Sequence, residues 1–153
     1  MRPSVSTAET VFLIVVVVLI LLAIANVVLS FLWERSNQPV GTFTECDGVL
    51  LHYLDRGDPT APCVVLLHGN GSMIQDFTIS GLVDRLARRN RVLCFDRPGF
   101  GYSNRPRLRL WTPTAQAALF VKVLHQLGVR NPVLLGHSWG TLVAKPSPCE
   151  MTI

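Results

Sequence analysis

Val133-Leu134-Leu135-Gly136-His137-Ser138-Trp139-Gly140-Thr141-Leu142-Val143-Ala144 is the stretch on which the fold is decided. An apolar run of strand length ends at Gly136, and small and apolar residues resume after Gly140. Between them lies G-x-S-x-G, in the strand–turn–helix setting that lifts a serine hydroxyl above the end of a sheet. The two glycines leave room for neighbouring backbone at a crowded turn. Trp139, at the start of the following helix, offers a main-chain N–H toward a developing oxyanion. A chance match to its three fixed positions arises in roughly 5% of chains of this length, so the motif needs companions.

It has two. His68-Gly69-Asn70-Gly71-Ser72 follows the apolar run Val64–Leu67, and its glycines let backbone approach a substrate. A plain strand-to-helix turn would read the same way. A phosphate-binding loop is disfavoured by the lack of a G-K-[ST] ending. Asn70-Gly71-Ser72 also spells a glycosylation acceptor, which is accidental at such a place. Asp96-Arg97-Pro98-Gly99-Phe100-Gly101-Tyr102-Ser103 follows the run Val92–Phe95. A dinucleotide loop would need a third glycine where Asn104 stands, so a rigid Pro-Gly turn is expected, with Asp96 structural.

Working outward, strands are expected at Thr42–Cys46, Leu50–Asp55, Val64–His68, Val92–Asp96 and Val133–Gly136. The runs VVLLH, VLCFD and VLLG are continuous, as in parallel strands covered on both faces. Helices are expected over Ile79–Arg89 and from Pro113 to Leu127. For the second, Thr112 suits the cap, Pro113 the first position and Gly128 the end. Two opening strands followed by alternation of strand and helix indicate an α/β sheet.

Before the domain, Val11–Trp33 (VFLIVVVVLILLAIANVVLSFLW) holds 23 residues without a charge. As a helix it spans about 34 Å, enough for a bilayer core of about 30 Å. A signal peptide usually has a shorter apolar core, so a single-pass anchor contacting lipid is expected. Arg2 and Arg35 balance across it and leave the orientation open. The organisation expected is a tail and transmembrane helix over 1–35, a linker over 36–41, a partial domain over 42–144 and an atypical tail over 145–153.

Formal net charge is +4, and twelve of the fourteen basic residues are Arg. Arg85, Arg88, Arg89 and Arg91 read as the solvated side and exit of a helix. Arg105, Arg107 and Arg109 form a second loose group. No nucleic-acid signature accompanies either, so no nucleic-acid partner is expected. Cys46, Cys63, Cys94 and Cys149 are too dispersed for a zinc site or a disulfide scaffold. Neither a metal nor a cofactor is expected.

In that order the three motifs, over residues 42–144, resemble the α/β-hydrolase superfamily. The resemblance implies a mostly parallel sheet with helices on both faces. It makes Ser138 the nucleophile, Asn70 and Trp139 the oxyanion donors, and Gly69, Gly71, Gly136 and Gly140 the motif glycines. Within the superfamily, serine at the elbow separates this chain from epoxide hydrolases and haloalkane dehalogenases, which use Asp there. HGNGS departs from the HGGPG of proline iminopeptidases, although their elbow is similar to GHSWG. An esterase-like hydrolase of small-molecule esters and a C–C-bond hydrolase both stay open.

The family places its acid and histidine after the nucleophile. Here no histidine follows His137, and Lys145-Pro146-Ser147-Pro148 interrupts the helix that would continue. His52, His68, His125 and His137 do not replace the missing base by position. The expectation is therefore a serine hydrolase by lineage, inactive as this chain. The alternative is a non-catalytic, membrane-tethered fragment or binding module. The elbow strand, mid-sheet in the family, is expected to lie at an unpaired edge.

Overall fold

A computed structural model describes residues 6–145. The expected tail over 145–153 therefore lies, apart from Lys145, outside the described residues, as do Cys149 and Glu150. The chain divides between Gln38 and Pro39 into two compact units.

The first unit holds one helix, α1 (Thr7–Ser36). It begins four residues before the charge-free run because Ser6 and Glu9 form a capping box. The Ser6 hydroxyl accepts from the Glu9 N–H at 3.2 Å, and the Glu9 carboxylate accepts from the Ser6 N–H at 2.8 Å. Arg35 lies in the last turn, where a cation complements the helix dipole. Thr7–Trp33 is long and apolar enough to cross a membrane, with mean hydropathy 3.4, and none of it is buried by protein.

The second unit is a five-stranded sheet with helices on both faces. Its elements are β1 (Thr42–Cys46), β2 (Val49–Arg56), β3 (Cys63–Leu67), α2 (Gln75–Ile79), α3 (Leu82–Ala87), β4 (Arg91–Phe95), α4 (Pro113–Gln126), β5 (Val133–Gly136) and α5 (Gly140–Ala144). Strand order is β1-β2-β4-β3-β5. The sheet is mixed. β3 pairs in parallel with β4 and β5, whereas β1–β2 is a hairpin and β2–β4 is antiparallel.

Period-two alternation along the central strands divides the core into two layers. Val65, Leu67, Leu93 and Phe95 face α4 and α5, against Leu119, Phe120, Val123 and Val143. Val64, Leu66, Val92 and Cys94 face α2 and α3, against Phe77 and Val83. The α4 boundaries follow their local chemistry. The Thr112 hydroxyl accepts from the Ala115 N–H at 3.2 Å, and Gly128 takes φ +70° just past the end.

Two expectations are corrected. The helix read over Ile79–Arg89 is two short helices, because Gly81 adopts φ +69° between them and breaks the ladder. Ile79 closes the first and is 85% exposed. The run VLLG is not covered on both faces. Val133, Leu134 and Leu135 are exposed, because among the described residues β5 is an edge strand paired only with β3 and packed chiefly by the short α5.

Candidate active site

β3 and β5 run in parallel in register, so the loops leaving them emerge side by side. The β5 exit is the sharper. His137 donates its main-chain N–H to the Leu67 carbonyl at 2.9 Å, and α5 starts at Gly140. Ser138 between them has φ +52°, left-handed backbone that costs a non-glycine residue about 1 kcal/mol or more. The turn is held by Gly140 N–H to the His137 carbonyl at 2.9 Å. The Ser138 carbonyl accepts from the Thr141 N–H at 3.0 Å and from its hydroxyl at 2.6 Å.

The motif glycines are required by close approach. A Cβ on Gly136 would stand 2.5 Å from the Thr141 nitrogen. One on Gly140 would stand 2.6 Å from the His68 carbonyl oxygen. At Gly69 a Cβ would lie 3.0 Å from the Ser138 Cβ, so this glycine is what lets the first loop lie against the serine. Gly71 has φ +67° and open space around it; its need is conformational.

Ser138 is exposed, Asn70 is exposed and Trp139 is half-buried. Neither the Asn70 nor the Trp139 main-chain N–H donates to an acceptor among the described residues. The structure thus brings together Ser138, Gly69, Asn70, Gly136, Trp139 and Gly140, the residues singled out from sequence. It brings no imidazole or carboxylate into hydrogen bonding with the Ser138 hydroxyl among the described residues.

Below the two loops lies a buried polar network in which Asp96 and Arg97 are central. Asp96 is fully buried. Its carboxylate accepts from His52 Nδ1 at 2.7 Å, from the Ile74 N–H at 2.9 Å and from the Tyr102 N–H at 3.1 Å. His52 Nε2 accepts from the Gly41 N–H at 3.1 Å, so the ring hydrogen sits on Nδ1 and points at Asp96. Ser103 links the same layers, accepting from the His52 N–H at 2.9 Å and donating to the Asp96 carbonyl at 2.7 Å. Asp96 is therefore structural, as expected of the turn.

Arg97 is fully buried and, among the described residues, faces no carboxylate within salt-bridge distance. Its guanidinium donates to the His68 carbonyl at 2.8 Å, the Gly69 carbonyl at 2.8 Å, Asn70 Oδ1 at 3.0 Å and Gln116 Oε1 at 3.3 Å. The Phe100 and Trp139 rings both lie 4.5 Å from its carbon centre. Burial lowers its pKa to about 10, so it stays charged at neutral pH. One side chain thus ties the Gly69–Asn70 loop to the Trp139 side of the elbow and places a cation beneath both.

His68 is buried as well. Its Nε2 accepts from the Arg97 N–H at 3.0 Å, so Nδ1 carries the hydrogen and donates to the Gly69 carbonyl at 2.7 Å. The 4.0 Å approach of Nε2 to Asp96 is consequently not an ion pair. Burial holds this imidazole below its ordinary range, and the Arg97 cation adds to the effect. His52 and His68 are both committed to the fold, and His125 and His137 are exposed.

Sequence reading did not single out Arg97, His52, Ser103 or Gln116. The available signals were a lone histidine inside the apolar run of β2 and two charges placed directly after the apolar run Val92–Phe95. Charged or polar residues at such positions are buried, and buried polar groups require partners.

Comparison with known proteins agrees with this arrangement. The sequence model of the Alpha/beta hydrolase family matches residues 64–145. Epoxide hydrolase A of Mycobacterium tuberculosis is 30% identical over 113 residues, covering 72% of this chain and 34% of that protein. A haloalkane dehalogenase of Psychrobacter cryohalolentis is 36% identical over 101 residues, 61% of this chain and 31% of the relative. A crystal structure of a membrane phospholipase A, described as a bacterial virulence factor, superposes with a TM-score of 0.65 at 26% identity. That superposition covers 86% of this chain and 45% of the phospholipase. The chain spans about a third of the length of the curated relatives it matches. On the matched sequence, the shared sheet and the elbow together, this chain belongs to the α/β-hydrolase family.

Proposed function

We propose that the chain carries the nucleophile and oxyanion donors of a membrane-anchored serine hydrolase acting on small-molecule, ester-like substrates. The observation that carries this reading is the elbow: an exposed Ser138 in left-handed backbone, with the Asn70 and Trp139 main-chain N–H groups unengaged among the described residues. In the proposed chemistry Ser138 Oγ attacks the ester carbonyl carbon while its proton passes to a histidine. The carbonyl oxygen becomes an oxyanion, to which Asn70 and Trp139 donate their main-chain N–H groups. The alkoxide leaves with that proton, and water then releases the acyl group from Ser138. Arg97 supports the site from below, holding Gly69 and Asn70 in place and adding positive potential. α1 supplies the anchor, lying in lipid over residues 11–33.

No imidazole among the described residues hydrogen-bonds the Ser138 hydroxyl, and His52 and His68 are engaged elsewhere. The chain by itself is therefore proposed to be inactive. The same observation favours a second reading, a tethered module that binds rather than turns over. One experiment separates them. The full chain in detergent should hydrolyse a p-nitrophenyl ester no faster than Ser138→Ala. Co-expressed with the C-terminal part of a matched relative that supplies acid and histidine, it should gain fluorophosphonate labelling that Ser138→Ala abolishes. Labelling that never appears in a folded complex would favour the binding module. The anchor is checked separately: the chain should stay with membranes through carbonate washing.

A further inference from the structure

The segment joining the Pro-Gly turn to α4 reads Asn104-Arg105-Pro106-Arg107-Leu108-Arg109-Leu110-Trp111-Thr112, and the site described above uses none of it. Its apolar residues divide sharply. Trp111 is 7% exposed, and its indole N–H donates to the Pro106 carbonyl at 3.1 Å. The Arg109 guanidinium stacks over the same ring, 4.7 Å from its centroid. These contacts close the segment on itself and leave Leu108 and Leu110 outside, at 105% and 85% exposure.

A single exposed leucine is ordinary. Two leucines alternating with three arginines on a closed loop form a mixed apolar and cationic surface that fits one partner well. Leucine side chains gain by leaving water for the acyl boundary of a bilayer, and guanidinium groups bind lipid phosphates bidentately. Among the described residues no carboxylate forms an ion pair with Arg105, Arg107 or Arg109. The carboxylate that Arg109 influences, Asp47, is hydrogen-bonded to Lys122 at 2.7 Å. The chain passes from α1 to β1 through residues 37–41, a tether of at most about 18 Å.

We propose that residues 105–110 are a docking loop for the anionic phospholipid surface of the membrane in which α1 is anchored. The proposal rests on the anchored reading of α1. Its test uses the full chain in nanodiscs of phosphatidylcholine, with or without phosphatidylserine, and reads trypsin cleavage at Arg107–Leu108 and Arg109–Leu110. Co-elution with neutral discs tests the anchor alone, so loss of anchoring and loss of docking give different results. Each engaged arginine is worth about fivefold in binding to an anionic surface. Cleavage should therefore slow at least about fivefold in phosphatidylserine discs, recover in high salt, and be unprotected in Leu108→Glu/Leu110→Glu. Equal rates in both discs would overturn the proposal. So would protection already present in detergent, which means cover from the chain itself, or protection in neutral discs that grows with protein concentration, which means a second copy.

Discussion

β3 and β5 are neighbours built from almost the same residues, yet they live in opposite surroundings. Val64 pairs with Val133, Val65 with Leu134 and Leu66 with Leu135. In β3 these residues are 8%, 0% and 0% exposed; in β5 their partners are 61%, 39% and 37% exposed. The loops that follow repeat the contrast. His68 is buried and bonded, whereas His137 is exposed, and Gly69 is sealed beneath while Ser138 stands open. An apolar strand is thus buried by what covers it, not by its own composition. Leu66 lies under α2 and α3 with β4 and β5 on either side, while β5 has one paired edge.

The largest effect should come from a matched pair of truncations. Leu66→Ala removes a fully buried side chain and is expected to cost about 2–5 kcal/mol. Leu135→Ala, directly across the register, should cost under about 1 kcal/mol. Urea unfolding of the second unit, followed by near-ultraviolet circular dichroism of the full chain in detergent, measures both. Equal losses would mean that β5 is covered in solution and would break the comparison.

The loop histidine of β3 adds a pH dependence of smaller size. Burial lowers the folded pKa of His68, so the folded ring stays neutral where the unfolded ring takes up a proton. The sign follows by linkage: stability is present above the ordinary histidine value of about 6.5 and is lost as pH falls below it toward the lowered folded value. The urea midpoint should therefore drop between about pH 7.5 and about pH 5.5. His68→Gln should flatten that slope even though it lowers stability overall. An unchanged slope would assign the dependence to another group.

The smallest expected change in stability is at the free edge. Val133→Lys places a charge on a 61% exposed residue of an edge strand, where surface substitutions shift stability by within about 0.5 kcal/mol. Unpaired apolar edges invite pairing between molecules, and an edge lysine blocks it. Sedimentation in detergent should show the parent chain self-associating and Val133→Lys doing so less. A parent chain that stays monomeric would show the edge to be harmless or already occupied.

What the amino-acid sequence determined alone was local. The five strands, the capped α4, the apolar span and the three glycine-bearing loops were legible because each depends on neighbours within a few residues. Periodicity, caps and turn residues act at that range. The break at Gly81 was missed because helical spacing on both sides of a glycine outweighs the glycine in a reading by pattern. The edge position of β5 was expected from the resemblance, but how far its side chains stay exposed, and where the charges went, only tertiary structure decided. Nothing near Leu135 in the chain distinguishes it from Leu66; the difference comes from helices and strands distant in sequence. Likewise Arg97 reads as one more surface arginine until β3, α4 and the elbow converge on it. Its partners are the His68, Gly69, Gln116 and Trp139 groups, brought together only by the sheet. Burial is a property of the assembled layers, and a buried charge is tolerable only where folding supplies acceptors that no short stretch of chain contains.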